Sequence, residues 1–319
     1  MIVPQAGAET ALAAATRRPL DSARLQRTLR QRLFSHPLAV ASALILMALA
    51  LLVLAAPLVA QVFGIDSTVV ELLNRYQPPS SAHPLGTDEL GRDLLLRLLE
   101  GGRVSLGIGL VVAVAAAVIG TLIGLSAGYV GGRTDALLMR LTDGIIALPK
   151  LPLLIVLAAI DVTKLGAPAQ WAHSPMLGFW RIAIIITLVG WTTVARLVRG
   201  ATLSLREREF VRAARALGAG PARIMFVHIL PNLSGSIVVA TTLSVGGIIL
   251  LESVLSFLGL GIQPPMASWG NMLTNAQELI WSAPMLAVWP GLLIFVTVIS
   301  CNFLGDGLQD ALDPRSERR

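Results

Sequence analysis

Glu252, with Ser253 beside it and Ser256 one turn on, is a carboxylate set within a long apolar run. A charge surrounded by hydrocarbon is costly to keep, so its presence calls for a partner or a path. Two roles fit it: lining a substrate route or gate, or holding the Phe257-Leu258-Gly259 turn that follows through hydrogen bonds. Asp143 follows Arg140 by three residues, the spacing of an intrahelical pair. Gly124-Leu125-Ser126-Ala127-Gly128 fits G-x-S-x-G in form, but a nucleophile elbow needs a preceding strand and a histidine base. The four histidines, His36, His83, His173 and His228, all fall outside the apolar runs, and Asp143 and Glu252 belong near opposite faces of a bilayer. Neither a serine nor an aspartyl hydrolase can be assembled from these parts. The two lysines, Lys150 and Lys164, lie in no G-x-x-x-x-G-K-[ST] loop, so the chain has no phosphate cradle of its own. Cys301 is the single cysteine and reads as a small buried hydrophobe, with no disulfide or thiolate metal site to join. No metal ligand cluster is found in the apolar runs.

The elements that must carry these residues follow from composition. Of 319 residues 55% are hydrophobic and 14% charged, with mean hydropathy +0.73, far from a soluble domain. Crossing roughly 30 Å of hydrocarbon takes about 20 helical residues. Six runs qualify: Leu38 to Ala60, Val104 to Val130, Leu137 to Ile160, Met176 to Val194, Leu233 to Leu255 and Met285 to Leu304. The expected fold is therefore an all-α membrane protein of six transmembrane helices. In the fourth run Arg181 must snorkel to the interface. Gly120, Gly124 and Gly128 recur every four residues in the second, a stripe for close helix packing.

Charge sets the orientation. Lys and Arg concentrate in the segments that share a side with the N-terminus, 19 of the 25, so both termini are expected in the cytoplasm. Basic residues beside anionic lipid headgroups account for the net charge of +6 without nucleic acid. Twenty residues separate Arg17-Arg18 from a first run too long for a cleaved signal, which reads as an uncleaved helix. Before it, Leu25, Leu29 and Leu33 among arginines predict an amphipathic interfacial helix, and the Ala-rich first 16 residues predict disorder. The organisation is thus 1–36, a cytoplasmic segment with the interfacial helix; 37–60, the first span; 61–103, an external loop; 104–304, a five-helix core holding a cytoplasmic loop at 199–232; and 305–319, a cytoplasmic tail.

That loop is the most telling segment. Glu207 to Asn232, EREFVRAARALGAGPARIMFVHILPN, is a charged helical hairpin between apolar runs. Arg206 to Leu217 predicts a helix with Ser204 available as cap and Gly218 as terminating glycine; Pro221 suits the start of a second short helix, and Leu230-Pro231 marks a break before the fifth span. Ala213, Ala214 and Ala216 make a narrow helix able to enter a groove on a partner, with Leu217 as an apolar anchor. A basic helix resting on headgroups is the plainer alternative, since Arg206, Arg208, Arg212 and Arg215 suit it.

The hairpin resembles the coupling loop of binding-protein-dependent ABC import permeases, Glu-Ala-Ala, three residues, Gly, nine residues, Ile, one residue, Leu-Pro. Arg212-Ala213-Ala214, Gly218 and Leu230-Pro231 take those places, with Arg212 departing from the usual Glu and His228 from the usual Ile. His228 before Ile229-Leu230-Pro231-Asn232 is similar to the peptide and nickel branch. His83-Pro84-Leu85-Gly86-Thr87-Asp88 with Gly91-Arg92-Asp93, then Glu252 to Pro265, then Asn302 to Asp306 with Asp310 to Pro314, resemble the dipeptide and oligopeptide subunit with a long first external loop. These motifs run in order over 83–314; the first 30 residues and the insert Asp161 to Trp180 share none.

The resemblance implies the type I ABC importer permease fold, with no nucleotide or other cofactor bound directly and ATP used by partner subunits. It implies as partners a homologous second permease subunit, two ATPase subunits or domains, an extracytoplasmic solute-binding protein and membrane lipid. ATPase coupling would fall to Glu209, Arg212, Ala213, Ala214, Leu217, Gly218, Ala219, Leu230 and Pro231. Glu252, Ser253 and Ser256 are candidates for the path or gate, and Gly86, Thr87, Asp88, Gly91, Arg92 and Asp93 for a receptor-side loop. The structural reading of that loop is a turn and helix cap at Gly86-Thr87-Asp88, with Leu94, Leu95 and Leu98 on the membrane. Di- or oligopeptide import is the expected function, in the inner membrane of a prokaryote; a nickel or nickel-chelate importer and a stand-alone secondary transporter are the alternatives.

Overall fold

The computed structural model describes residues 36–160, 175–274 and 276–312, with Phe34. The predicted interfacial helix, the Ala-rich start, most of the 161–180 insert and the end of the tail lie outside the described residues. Five helices are long and apolar enough to span a membrane, and a bent pair makes a sixth, broken span. Helix α1 covers Pro37–Leu54 and continues after a kink at Ala55 as α2, Ala56–Phe63, whose second residue is Pro57. Helix α3 runs Leu94–Val130, and α6 Pro175–Leu205. Between them lie α4, Gly132–Ala147, and α5, Lys150–Ala158. Helix α7, Glu209–Ala216, is the hairpin's first arm; α8, Pro221–Phe257, its second arm and fifth span. A short α9, Ala276–Leu279, precedes α10, Met285–Leu312.

Packing starts from the glycine stripe. A Cβ on Gly124 would sit 2.4 Å from the Ala195 carbonyl oxygen, and one on Gly120 2.6 Å from that of Trp191, so α3 and α6 touch backbone to backbone. Around that contact Ile108, Val112, Ile182, Ile186 and Leu255 form a buried core, joined by Leu154 from α5. Helix α10 packs between α8 and α1. His36 and Asp310 approach to 3.9 Å, which puts the start of α1 and the end of α10 at one end of the bundle. The hairpin shares it: a Cβ on Gly235, just past the hairpin, would lie 3.3 Å from Leu312.

Five expectations are corrected. The third span is not one helix: α4 and α5 meet at 87°. Pro149 clashes with a helical predecessor, and Leu148 is accordingly extended, with ψ 137°. Asp135 pairs with Arg199, and Asp143 with Arg196. The aspartates are about 12 Å apart along α4 and the arginines about 4.5 Å along α6, so α4 crosses α6 and does not run beside it. Asp143 therefore joins two helices, where the sequence suggests a pair with Arg140.

Arg181 does not simply snorkel to solvent. Its Nη2 donates to the Leu260 carbonyl at 3.0 Å, and its buried Nε has no partner among the described residues. Leu230-Pro231 makes no break. Ile224–Ile229 is a π-helical segment, and such a widened turn accommodates a proline without its N–H as α8 runs on. Leu94 and Leu98 do not lie on the membrane: α3 begins ten residues before the predicted span, and both are buried beneath Trp269.

Candidate functional site

The hairpin is seated rigidly. Helix α7 begins at Glu209, three residues later than expected, because Arg206 and Glu207 are spent on the turn out of α6; Ser204 stays in the last turn of α6 and caps nothing in α7. Val211 and Ala214 are its buried face, Val211 packing with Leu125, Val198 and Ile224. Its end is a double lock: the Ala219 N–H donates to the Ala214 carbonyl and the Gly218 N–H to that of Arg215, both at 3.0 Å, with Gly218 at φ +83°. Arg206 Nη1 donates to the Gly128 carbonyl at 2.9 Å, and the Arg215 guanidinium lies over the Tyr129 ring, 5.9 Å from its centre.

What this seating leaves outward is specific. Leu217 is 88% exposed at the tip, with Glu209, Phe210, Arg212, Ala213 and Gly218 also exposed. Ala219 and Leu230 are half-buried and Pro231 exposed. Of the alanine pair, therefore, Ala213 faces outward while Ala214 faces the chain's own core. A fixed backbone carrying a nearly bare leucine beside small side chains is shaped to enter an apolar groove.

At the other end of the bundle Glu252 is fully buried. Ser105 Oγ donates to its Oε2 at 3.0 Å and Ser256 Oγ to its Oε1 at 2.7 Å. Each hydroxyl in turn accepts a backbone N–H, Ser105 from Trp269 at 3.2 Å and Ser256 from Ile262 at 3.1 Å. Ser253 is buried beside them, and among the described residues its hydroxyl has no hydrogen-bond partner at bonding geometry. The Trp269 indole N–H donates to the Leu98 carbonyl at 2.9 Å. Glu252 thus ties α3, α8 and the 258–273 loop together, and it faces no open passage here.

The segment before α3 folds onto this region. Asp88 accepts from the backbone N–H of Leu90 at 2.8 Å and of Arg92 at 2.9 Å, and from the buried guanidinium groups of Arg92 at 2.7 Å and Arg97 at 3.2 Å. The helix cap is Asp93, whose Oδ1 takes the Leu96 N–H at 2.8 Å while His83 Nδ1 lies 3.1 Å from its Oδ2; Asp88 supplies the turn. Thr87 Oγ1 accepts the Gln77 N–H and donates to the Asn74 carbonyl. Gly86 and Gly91 have φ +83° and +75°, and a Cβ on either would strike the carbonyl oxygen of Gln77 or Glu71. Burial, then the neighbouring Asp88 carboxylate, raises the Glu89 carboxyl above its ordinary range.

Beyond this geometry, residues 120–318 match the family described as binding-protein-dependent transport system inner membrane component. This chain belongs to that permease family. The permease also matches, over residues 24–79, the N-terminal TM domain of oligopeptide transport permease C. It is 38% identical over 284 residues to the oligopeptide transport system permease protein OppC of Bacillus subtilis, covering 89% of this chain and 88% of that one. It is 43% identical over 242 residues to the dipeptide transport system permease protein DppC of Alkalihalophilus pseudofirmus, 76% and 75% of the two chains. To the glutathione transport system permease protein GsiD of Pectobacterium atrosepticum it is 43% identical over 237 residues, 74% of each. The permease is thus a multi-pass inner-membrane transport subunit of the type I ABC importer fold, with the six predicted spans realised as five long helices and one broken one.

The structure brings together all six predicted loop residues of the permease, and Glu252 with Ser256. Ser105 and Trp269, which complete the Glu252 network, carried no signal: a serine in a small-residue helix and a loop tryptophan look ordinary until the fold joins them across 147 and 171 residues.

Proposed function

We propose that this permease forms half of the translocation path of an ATP-driven importer of di- or oligopeptides, its coupling hairpin seated in an ATPase subunit. The observation that carries the reading is the locked α7 tip with Leu217 bare. A large apolar side chain held out on a rigid, basic turn suits a groove on a partner, and a motor subunit moving beneath the membrane needs a stiff lever. ATP, bound by two partner ATPases, would bias inward- and outward-open forms because the closed ATPase dimer binds it better. A second homologous permease subunit would complete the path, and an external binding protein would deliver cargo at the end formed by the 64–93 segment. Both termini and the hairpin would then be cytoplasmic, as the arginine distribution expects. Peptide cargo is favoured over nickel because the relatives are named for oligopeptide, dipeptide and glutathione transport.

The test is uptake of labelled peptide by proteoliposomes holding the reconstituted importer. Uptake should require ATP, the ATPase chains and the loaded binding protein, and Leu217→Asp should lower it by about tenfold or more while the permease still assembles. Uptake that persists without the ATPase chains would sink the reading, as would a Leu217→Asp importer that works normally.

A further inference from the structure

Between α5, α6 and α8 the bundle opens a cleft of about 460 Å³, a volume in the range of small-ligand sites. Its walls are mostly aliphatic, with Ile186 and Val189 from α6 and Leu243 and Ile248 from α8. Among the lining residues Lys150 is the single charged one, and Gln309 the single amide. Lys150 stands there because of the helix break: Pro149 ends the crossing helix α4, and α5 turns at 87° into the bundle with Lys150 as its first residue. The side chain is exposed and enters no ion pair among the described residues. The nearest acidic positions on α4 are engaged elsewhere, Asp143 by Arg196 and Asp135 by Arg199. An unpaired ammonium at the rim of an apolar cleft keeps its attraction for whatever anion passes.

A cargo suited to such a passage is mostly uncharged, with one carboxylate and no need of an acidic partner from this half. A short peptide meets that description if its C-terminal end faces this subunit. We infer that Lys150 engages the C-terminal carboxylate of peptide cargo in the cleft, which gives this half of the path a preference for one end of the peptide. The inference rests on the peptide-import reading above.

The complete importer in proteoliposomes, with wild type, Lys150→Arg, Lys150→Gln and Lys150→Glu, decides it. Initial uptake of a tripeptide with a free carboxylate should stay near wild type for arginine, fall about fivefold for glutamine, the worth of a partly screened contact between unit charges, and fall further for glutamate. Uptake of the same tripeptide as its C-terminal amide should be alike for all four proteins. A flat series with the free acid overturns the inference, as does a parallel fall with the amide, or a loss for arginine as large as that for glutamine. A wild-type importer that takes up neither peptide overturns the cargo reading itself, a result that no comparison among variants could produce.

Discussion

Asp88 is the residue on which the 64–93 segment turns, since one carboxylate pairs with two buried guanidinium groups and receives two backbone N–H groups. Asp88→Ala leaves those charges buried and unmatched, and the expected loss is about 3 to 5 kcal/mol, seen as faster proteolysis of the 64–93 segment and a lower unfolding midpoint. Glu252→Ala removes the acceptor of two buried serine hydroxyls and should cost about 2 to 4 kcal/mol, with Glu252→Gln milder because one acceptor oxygen remains. Glu89 gives the 64–93 segment a pH dependence. Its carboxyl is raised in the fold, so between the ordinary value and the raised one the folded segment holds more proton than the unfolded. The contribution is therefore present below the ordinary carboxylate pKa and is lost as pH rises through the raised one. Proteolysis of the segment should accelerate over that interval in the wild type, and Glu89→Gln should flatten the profile.

Elements are held by close approach more than by side-chain bulk. Gly124→Ala places a methyl against the Ala195 carbonyl, backbone against which nothing can turn aside, and should cost about 1 to 3 kcal/mol in thermal unfolding of the solubilised permease. Gly144→Ala on α4 is the matched control. A Cβ there meets nothing within 4 Å, and the helix gains about 0.5 to 1 kcal/mol. Equal effects at the two positions would mean that α3 and α6 do not touch as described. Helix α7 shows the same economy: with eight residues it could not stand alone in water, and it is held by Val211 in the bundle and by the Gly218 lock.

Seen whole, the molecule has a stiff hairpin at one end, a bonded cap of loops at the other, and an apolar cleft between. Hydropathy was enough to find the spans, because burial in hydrocarbon demands long apolar helices whatever the packing. The turn at Gly218 and the glycine stripe were also legible, since each is a local steric demand written in one residue type. Pro149 was visible too, yet whether a proline kinks, breaks or is absorbed depends on what lies around it. The same residue type bends the chain sharply after Leu148 and is carried within α8 at Pro231. Only tertiary structure decided between those outcomes, and it alone paired Asp143 with Arg196, turned Ala214 inward and Ala213 outward, and closed Ser105 and Trp269 around Glu252. The reason is range: propensity, capping and hydrophobicity act over a few neighbours, whereas the partner of a buried charge is chosen by which helices the whole bundle brings together.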